Sequence, residues 1–408
     1  MAAEILNIQR QIIFDESIAH YEAHAHLPYA SSTFNNSDEI KIAVQHQDLS
    51  LLPSKSTLHV YGKFIKSDGT AVSATTHMVN MTVCHMFEEI RYELNSVEID
   101  RNKNVGITSF MKGYTSLSPA QQNTLENSGW IMDEAVNKLH NDNGYFDVSI
   151  PLSLLLEFAE DYHKVVINAK HELILIKSNA DLNAYVLAIP AAGAHAEAVK
   201  IMLQKIEWIV PYVTMADKQK IEALNYISDP AISISFRVWE LYEYPRLPNT
   251  SKHIWAVKTS TQLEISRFVI LGFQTARKND ATKNASVFDH CNIRDIKLFL
   301  NSQSYPYGNS NLNIANNQYA LLYINFQISY YNKEPEPLLT KKKFLEQAPL
   351  YVIDCSKQNE SIKSGPVAIR LEFESANQFP AQTSAYCPII HDRIVEYNPI
   401  SRIVRKLI

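Results

Sequence analysis

Apolar and polar residues alternate along much of this chain. Between Ile90 and Asp100, Tyr92, Leu94 and Ser96 alternate with charged or polar neighbours, and about two hundred residues later Ile293–Ser302 repeats the pattern. Alternation over this length marks a half-buried strand, and the Asn-Ser that closes both runs is turn chemistry. The same period predicts strands over Glu39–Gln47, Thr57–Lys66, 77–89, Tyr145–Leu152, Lys164–Asn168, His171–Lys177, Tyr185–Ile189 and Val199–Tyr212. It predicts a second set over Ala231–Tyr242, Glu264–Thr275, Gln318–Tyr331, Leu350–Cys355, Val367–Glu374 and Ala385–Tyr397.

Helical spacing is confined to the connections. Ser118-Pro119-Ala120-Gln121-Gln122 reads as a helix start inside a long excursion from Asn102 to Asn143, and Trp130–His140 has helical spacing. Ser153–Ala159 reads as a short helix with Ser153 as its N-cap. Asn332–Gln347 reads as a second, charged and partly helical excursion. Ala216–Ile227 consists of good helix formers and stops before Ser228-Asp229-Pro230.

The excursion, the strand after it and the closing strand follow in the same order twice, and Lys205–Pro211 parallels Arg393–Pro399. Ala231–Tyr242 resembles Thr57–Lys66. The Ile-Arg openings and Leu-Asn-Ser ends of the two echoing runs align together only with a three-residue gap, so the ends set the register, with Tyr92 over Leu298. The expected fold is all-β, two antiparallel eight-stranded jelly-roll sandwiches in tandem with short helices in the connections. The expected divisions are an N-terminal arm (1–38, extended with one short helix), a first jelly roll (39–213), a linker helix (214–230) and a second jelly roll (231–408). Chance similarity of two β-rich halves is the competing explanation.

A length of 408 residues suits two or three domains. Tyr and Phe are plentiful at 21 and 16, and Gly is scarce at 10, which favours sheets over glycine-rich phosphate loops. A net charge of −5 gives no global reason for nucleic-acid binding, and acids outnumber Arg10, Lys41 and Lys55 in the first 56 residues. The final stretch, with Arg393, Arg402, Arg405 and Lys406 against Glu396, is mildly basic. Cys84, Cys291, Cys355 and Cys387 lie far apart and point to a reducing compartment. No basic-then-apolar leader and no run of roughly 18 apolar residues is present, so neither a secretion signal nor a membrane span is expected.

Candidate chemistry is sparse. His20, His24 and His26 are the nearest approach to a metal cluster but lack acidic or Cys ligands at fixed spacing. Asp289-His290-Cys291, Cys84-His85 and His391-Asp392 place a base next to a partner in sequence, which in a strand points the two to opposite faces. Glu88-Glu89 would need a concave site to act as acid and base, and Glu334-Pro335-Glu336 reads as a solvated loop. No catalytic, cofactor-binding or metal-ligating residue is assigned, and no cofactor or enzymatic activity is expected.

The run Phe34–Ile42, the Ile90–Asp100 segment, Phe146–Leu152 and Ile293–Gly308 with its Tyr305-Pro306-Tyr307-Gly308 turn resemble double jelly-roll major capsid proteins, most of all the Polinton and adintovirus-like group. The resemblance runs from about Phe34 to Ile400 and carries fold-bearing motifs only. It implies a homotrimer whose jelly rolls form a pseudo-hexameric tile of an icosahedral shell around double-stranded DNA, with trimer-trimer contacts, a single jelly-roll penton protein as partner and a place in the virion after assembly inside the host cell. Two other readings compete: a host-domesticated or carbohydrate-binding β-sandwich protein, and an enzyme of cupin type with metal on a His-rich strand pair.

Overall fold

The structure is a computed structural model that describes residues 17–29, 34–45, 50–190, 195–227, 232–260, 266–327, 336–357 and 367–407. The first half contributes, in chain order, β1 (Ile18–His26), β2 (Glu39–Gln45), β3 (Thr57–Lys66), β4 (Phe87–Leu94), β5 (Val97–Lys103), β6 (Tyr145–Pro151), β7 (Lys170–Lys177) and β8 (Val199–Met215). The second contributes β9 (Ile232–Tyr244), β10 (Lys252–Ser260), β11 (Ser266–Thr275), β12 (Ile293–Leu300), β13 (Gln303–Tyr305), β14 (Tyr351–Asp354), β15 (Val367–Ser375) and β16 (Thr383–Tyr397).

These strands form two pairs of antiparallel sheets. The first half gives the orders β1-β8-β3-β6 and β2-β7-β4-β5. The second gives β9-β16-β11-β14 and β10-β15-β12-β13. Adding eight to each label converts one set into the other, which is the jelly-roll order written twice. Ser50–Leu51 and Val166–Ile167 extend the first sheet beyond β8, and Val404–Lys406 pairs with the end of β16.

Alternation explains the packing. Ile40, Ile42 and Val44 of β2 and Ile90, Tyr92 and Leu94 of β4 turn into the first core. There the Tyr92 ring meets Phe158 at 5.0 Å and the edge of Trp208 at 6.0 Å. In the second half Phe273 meets Phe373 at 5.3 Å and Phe379 at 5.4 Å. Side chains of this size dominate the apolar area removed from water, so each sandwich is held mainly by such clusters.

The echo at Leu-Asn-Ser is reproduced in the hydrogen bonds of its asparagine. The Asn95 N–H donates to the Lys170 carbonyl at 2.8 Å, and the Lys170 N–H donates to Asn95 Oδ1 at 2.8 Å. The Asn301 N–H donates to the Ala368 carbonyl at 3.0 Å, and the Ala368 N–H donates to Asn301 Oδ1 at 2.9 Å. Both asparagines sit in the left-handed region, at φ 48° and 54°. Tyr92 is paired with Leu173 of β7 and Leu298 with Leu371 of β15, so they occupy corresponding positions. Asn301→Ala is expected to lower stability by about 1–3 kcal/mol, the cost of an unfavourable left-handed residue plus one lost hydrogen bond. Asn301→Gly should lose only the side-chain bond, and urea unfolding of the two variants measures the difference.

Several expectations are corrected. The N-terminal arm is in its described part a strand: β1 lies along β8, with Ala25 opposite Ile209 and Tyr21 opposite Val213. The short helix expected there lies outside the described residues. Of the strand expected over Ala231–Tyr242, the described residues from Ile232 fall on β9, the counterpart of β1, whereas the counterpart of Thr57–Lys66 is β11, since β3 and β11 occupy the same place in their sheets. Lys252–Ser260 is a further strand, unannounced by alternation because His253 turns inward while Ile254 is exposed. Residues 77–89 are broken into His77–Met78, a helical turn over Thr82–His85 and the start of β4.

Gln318–Tyr331 fails as a strand, because Ala320–Gln327 is a helix. Tyr319, Leu322 and Phe326, spaced by three and four, are buried while Leu321 and Ile324 are exposed, and Phe326 packs on Phe344 at 4.6 Å. Its last residues, 328–331, lie outside the described residues. Trp130–His140 forms turns instead of a helix, since Trp130 is pinned between Phe110 at 5.4 Å and Tyr114 at 5.5 Å. Ser153 lies inside Leu152–Leu155, which starts from Pro151, so it is no N-cap. The strands expected at Lys164–Asn168 and Tyr185–Ile189 shrink to Val166–Ile167 and Tyr185–Val186.

Candidate functional surfaces

The sequence-derived chemical candidates are held apart or engaged structurally. On β1, His20 and His24 both reach Glu22, at 3.2 and 2.5 Å, on an exposed strand face, and His26 Nε2 is 3.0 Å from the Tyr212 hydroxyl. Among the described residues no group of three His, Cys, Asp or Glu side chains is arranged to hold a metal ion. Burial pushes the Cys84 thiol up to about 12 and the His85 imidazole down to about 4, so the two stay neutral neighbours. His85 instead packs on Phe110 at 5.4 Å.

Asp289 accepts from Arg277 Nη2 at 2.7 Å and from the Thr275 N–H at 2.7 Å. Burial pushes the Cys291 thiol up to about 12, with the Asp289 carboxylate adding to the effect. Asp392 is clamped by Arg267, and His391 faces Glu240 at 3.6 Å. Glu89 is paired with Arg91 at 3.0 Å and Glu88 is exposed. Of Glu334-Pro335-Glu336, residues 334 and 335 lie outside the described residues.

Sequence inspection missed the surfaces that join the halves. The helix α1 (Val105–Ser116) leaves β5, and the short helices α2 (Leu152–Leu155) and α3 (Glu157–Asp161) follow β6. Lys112 of α1, 2% exposed, donates to Glu157 Oε1 at 3.0 Å and the Ser153 carbonyl at 2.8 Å, and its Nζ lies 2.8 Å from Glu160 Oε2. Burial pulls its pKa down, but Glu157 and Glu160 outweigh that and hold it above the ordinary lysine range. A charge beside the apolar Phe110-Met111 and Tyr114 of a helix was the available signal, since such a residue needs buried partners.

One residue after that triad, Asp161 crosses to the second half. It accepts from the Arg237 N–H and Nε at 2.8 Å each, and Arg237 Nη2 closes the fork. Phe158 meets Phe236 edge-on at 5.5 Å beside it. Farther along the joint the Tyr397 hydroxyl donates to the Ile167 carbonyl at 2.5 Å and Arg393 donates to the Ile99 carbonyl at 3.1 Å. A cleft of about 470 Å³ also lies between the halves, bordered by Glu88, Lys103 and Asn104 on one side and by Lys278 and Tyr386 on the other. Apolar, ionic and backbone contacts therefore fix the two sandwiches against each other.

The long excursions of both halves meet at one end. Ser118 caps the helix Pro119–Thr124 through a capping box with Gln121. Asn284 reaches Glu134, and Lys343 lies 4.0 Å from Asp133. That end carries the connections that leave β5, β11 and β13, Asn284 belonging to the second of these, whereas the Asn95 and Asn301 turns mark the opposite end.

Two antiparallel sandwiches of identical strand order, joined rigidly in one chain, define a double jelly-roll protein. The chain belongs to the family described as the double jelly roll-like domain, whose model matches residues 76–395. No curated protein sequence matches it. Among solved structures it is similar to the PBCV-1 virus capsid (TM-score 0.61, 9% identity, 98% of this chain and 99% of that one). It is also similar to a chain of the Sputnik virophage (TM-score 0.62, 11% identity, 98% and 91%) and to the mavirus major capsid protein (TM-score 0.60, 10% identity, 98% and 92%). At these identities the likeness is one of fold.

Proposed function

We propose that the protein is a viral major capsid protein, a structural building block of a shell. The carrying observation is the rigid joint between two sandwiches of one topology: three such chains around an axis approximate a six-fold tile, which a shell can pave without a catalytic pocket. The double jelly-roll fold and its end-to-end match to viral capsid chains support this reading.

The finer parts of the proposal are a homotrimeric, pseudo-hexameric capsomer, contacts between trimers, a single jelly-roll penton partner and a Polinton or adintovirus-like origin. The proposed unit boundary is the linker 214–230, which includes the helix Asp217–Ile227. The joined excursions would form a small outer tower, and the protein's place is the virion. Light scattering coupled to size exclusion is expected to give three times the chain mass of 46.4 kDa, and negative-stain images hexagonal tiles. A strictly monomeric species at micromolar concentration overturns the trimer.

A further inference from the structure

The joint between the halves uses one edge of each sandwich and leaves the other edge of each open. In the sheets β1-β8-β3-β6 and β9-β16-β11-β14 the outer strands are β1 and β6, and β9 and β14. Within the chain α3, which follows β6, meets β9 through Asp161 with Arg237 and through Phe158 with Phe236. The adjoining outward face is covered as well. Leu271 and Phe273 of β11 turn into the second core, so Gly272 between them faces out, where a Cβ would lie 3.2 Å from Met111 Cε of α1. Met111 thus joins Leu350 and Phe288 over this face, and every residue of β16 from Thr383 to His391 is buried.

The counterpart surface of the first half has no such cover. β1 is exposed on both faces from Ile18 to Ala25, and along β8, the counterpart of β16, Lys200, Met202 and Lys205 are exposed. Met202 is 44% exposed and lies opposite Lys63 of β3, so an apolar side chain is bordered by Lys63, Lys200 and Lys205 on the outward face. At the far edge of the second half the helix Ala320–Gln327 lies against β14. It buries Leu322 and Phe326 and turns Leu321, 64% exposed, and Ile324, 45% exposed, to the outside. This helix belongs to the excursion between β13 and β14, as α1 belongs to the excursion between β5 and β6. An open apolar helix face at one edge and an uncovered sheet face at the other are the two sides of the joint, present a second time and unpaired within the chain.

We propose that Leu321 and Ile324 of one chain dock on the outward face of β8 and β3 of a second copy, around Met202 and beside its β1. The second half of one chain then stands to the first half of the next as the first half stands to the second within a chain. Such a head-to-tail contact uses two different surfaces of each copy and closes into a ring when its rotation fits. Docking takes Leu321, Ile324 and Met202 out of water, and the lysines around Met202 set the charge that the incoming helix must tolerate. This contact presupposes the homotrimer proposed above and specifies which surfaces make it.

Light scattering coupled to size exclusion reads the outcome on the full chain, with the parent expected at three times 46.4 kDa. Leu321→Arg with Ile324→Arg sets two further cations against Lys63, Lys200 and Lys205 and is expected to weaken association at least about tenfold, releasing single chains. Leu321→Glu with Ile324→Glu meets the same lysines with the opposite charge and should stay trimeric. Adding Met202→Glu to the arginine pair should restore the trimer. All three side chains are exposed, and circular dichroism checks that the variants fold. A trimeric arginine pair, arginine and glutamate pairs that dissociate alike, or no rescue by Met202→Glu would overturn the docking while leaving the homotrimer standing. A monomeric parent would overturn both.

Discussion

Lys112→Met is expected to lower the unfolding free energy by about 3–5 kcal/mol, read as a shift in the urea midpoint. The side chain is 2% exposed and its ammonium is the shared partner of Glu157 and Glu160. Methionine fills similar space, so the loss comes from charge and not from a cavity. The two carboxyl groups are then left without their cation, and the nearby Asp100, which accepts from the Phe158 and Arg101 N–H groups at 2.9 and 2.8 Å, keeps only Arg393 of its two neighbouring cations. Because α3 also carries Asp161 to Arg237, the damage should spread to the joint between the halves. An unchanged midpoint in Lys112→Met would rule out this account of the joint.

The same cluster sets a pH dependence. Burial raises the Glu157 carboxyl well above its ordinary range, with Glu160 and Asp100 adding to the shift and Lys112 opposing it; burial raises Asp100 as well. Groups with raised carboxyl pKa bind more protons folded than unfolded, so their contribution is fully present below the ordinary carboxyl range of about 4 and declines as pH rises through the folded values. Glu157→Gln removes one such group. Its stability relative to the parent is therefore expected to be better at pH 8 than at pH 5. A constant difference across that range would contradict the assignment. Groups such as Glu240, held below the usual range by His391 and Lys258 against its burial, run the other way but cancel in the comparison.

Gly144→Ala is the second large effect, at about 2–5 kcal/mol. Gly144 has φ +82° and leads into β6, and its carbonyl accepts the Phe64 N–H at 2.8 Å. A Cβ there would press into the Phe64 carbonyl oxygen and come within 3.1 Å of Ile65 Cγ2. The backbone of β3 cannot swing aside as a side chain could, so overpacking adds to the left-handed penalty. Gly69→Ala is the control: φ is +91° but nothing lies within 4 Å of its Cβ, so only the conformational part, about 1–2 kcal/mol, should be lost. Equal losses at the two sites would show that the contact with β3 carries no weight.

Much of the architecture was legible because a strand buried on one face writes its period into the chain. Tyr92 and Leu94, and likewise Leu298 and Leu300, alternate with polar neighbours, and Asn95 and Asn301 announce turns that only a few residue types tolerate. The failures have equally specific causes. β1 is exposed along nearly its whole length, so it has no apolar face to read, and it is a strand because β8 offers its edge. Ala320–Gln327 is apolar on both a strand and a helix reading, and Phe344 decides for the helix. The negative reading of Cys84-His85, Asp289-His290-Cys291 and His391-Asp392 rested on adjacency in strands. For the first two the structure gives different grounds, a helical turn and the turn into β12, whereas His391 and Asp392 do lie in the strand β16, with His391 buried and Asp392 held by Arg267.

By itself, then, the sequence determined an all-β chain whose second half repeats the first, since local alternation and turn residues depend only on neighbours along the chain. What encloses Lys112, which half Asp161 grips, and how Asn95 comes to hold the C-terminal hairpin were decided by tertiary structure. Those partners are 45, 76 and 307 residues apart in sequence, and no local pattern encodes which distant surfaces close together to exclude water.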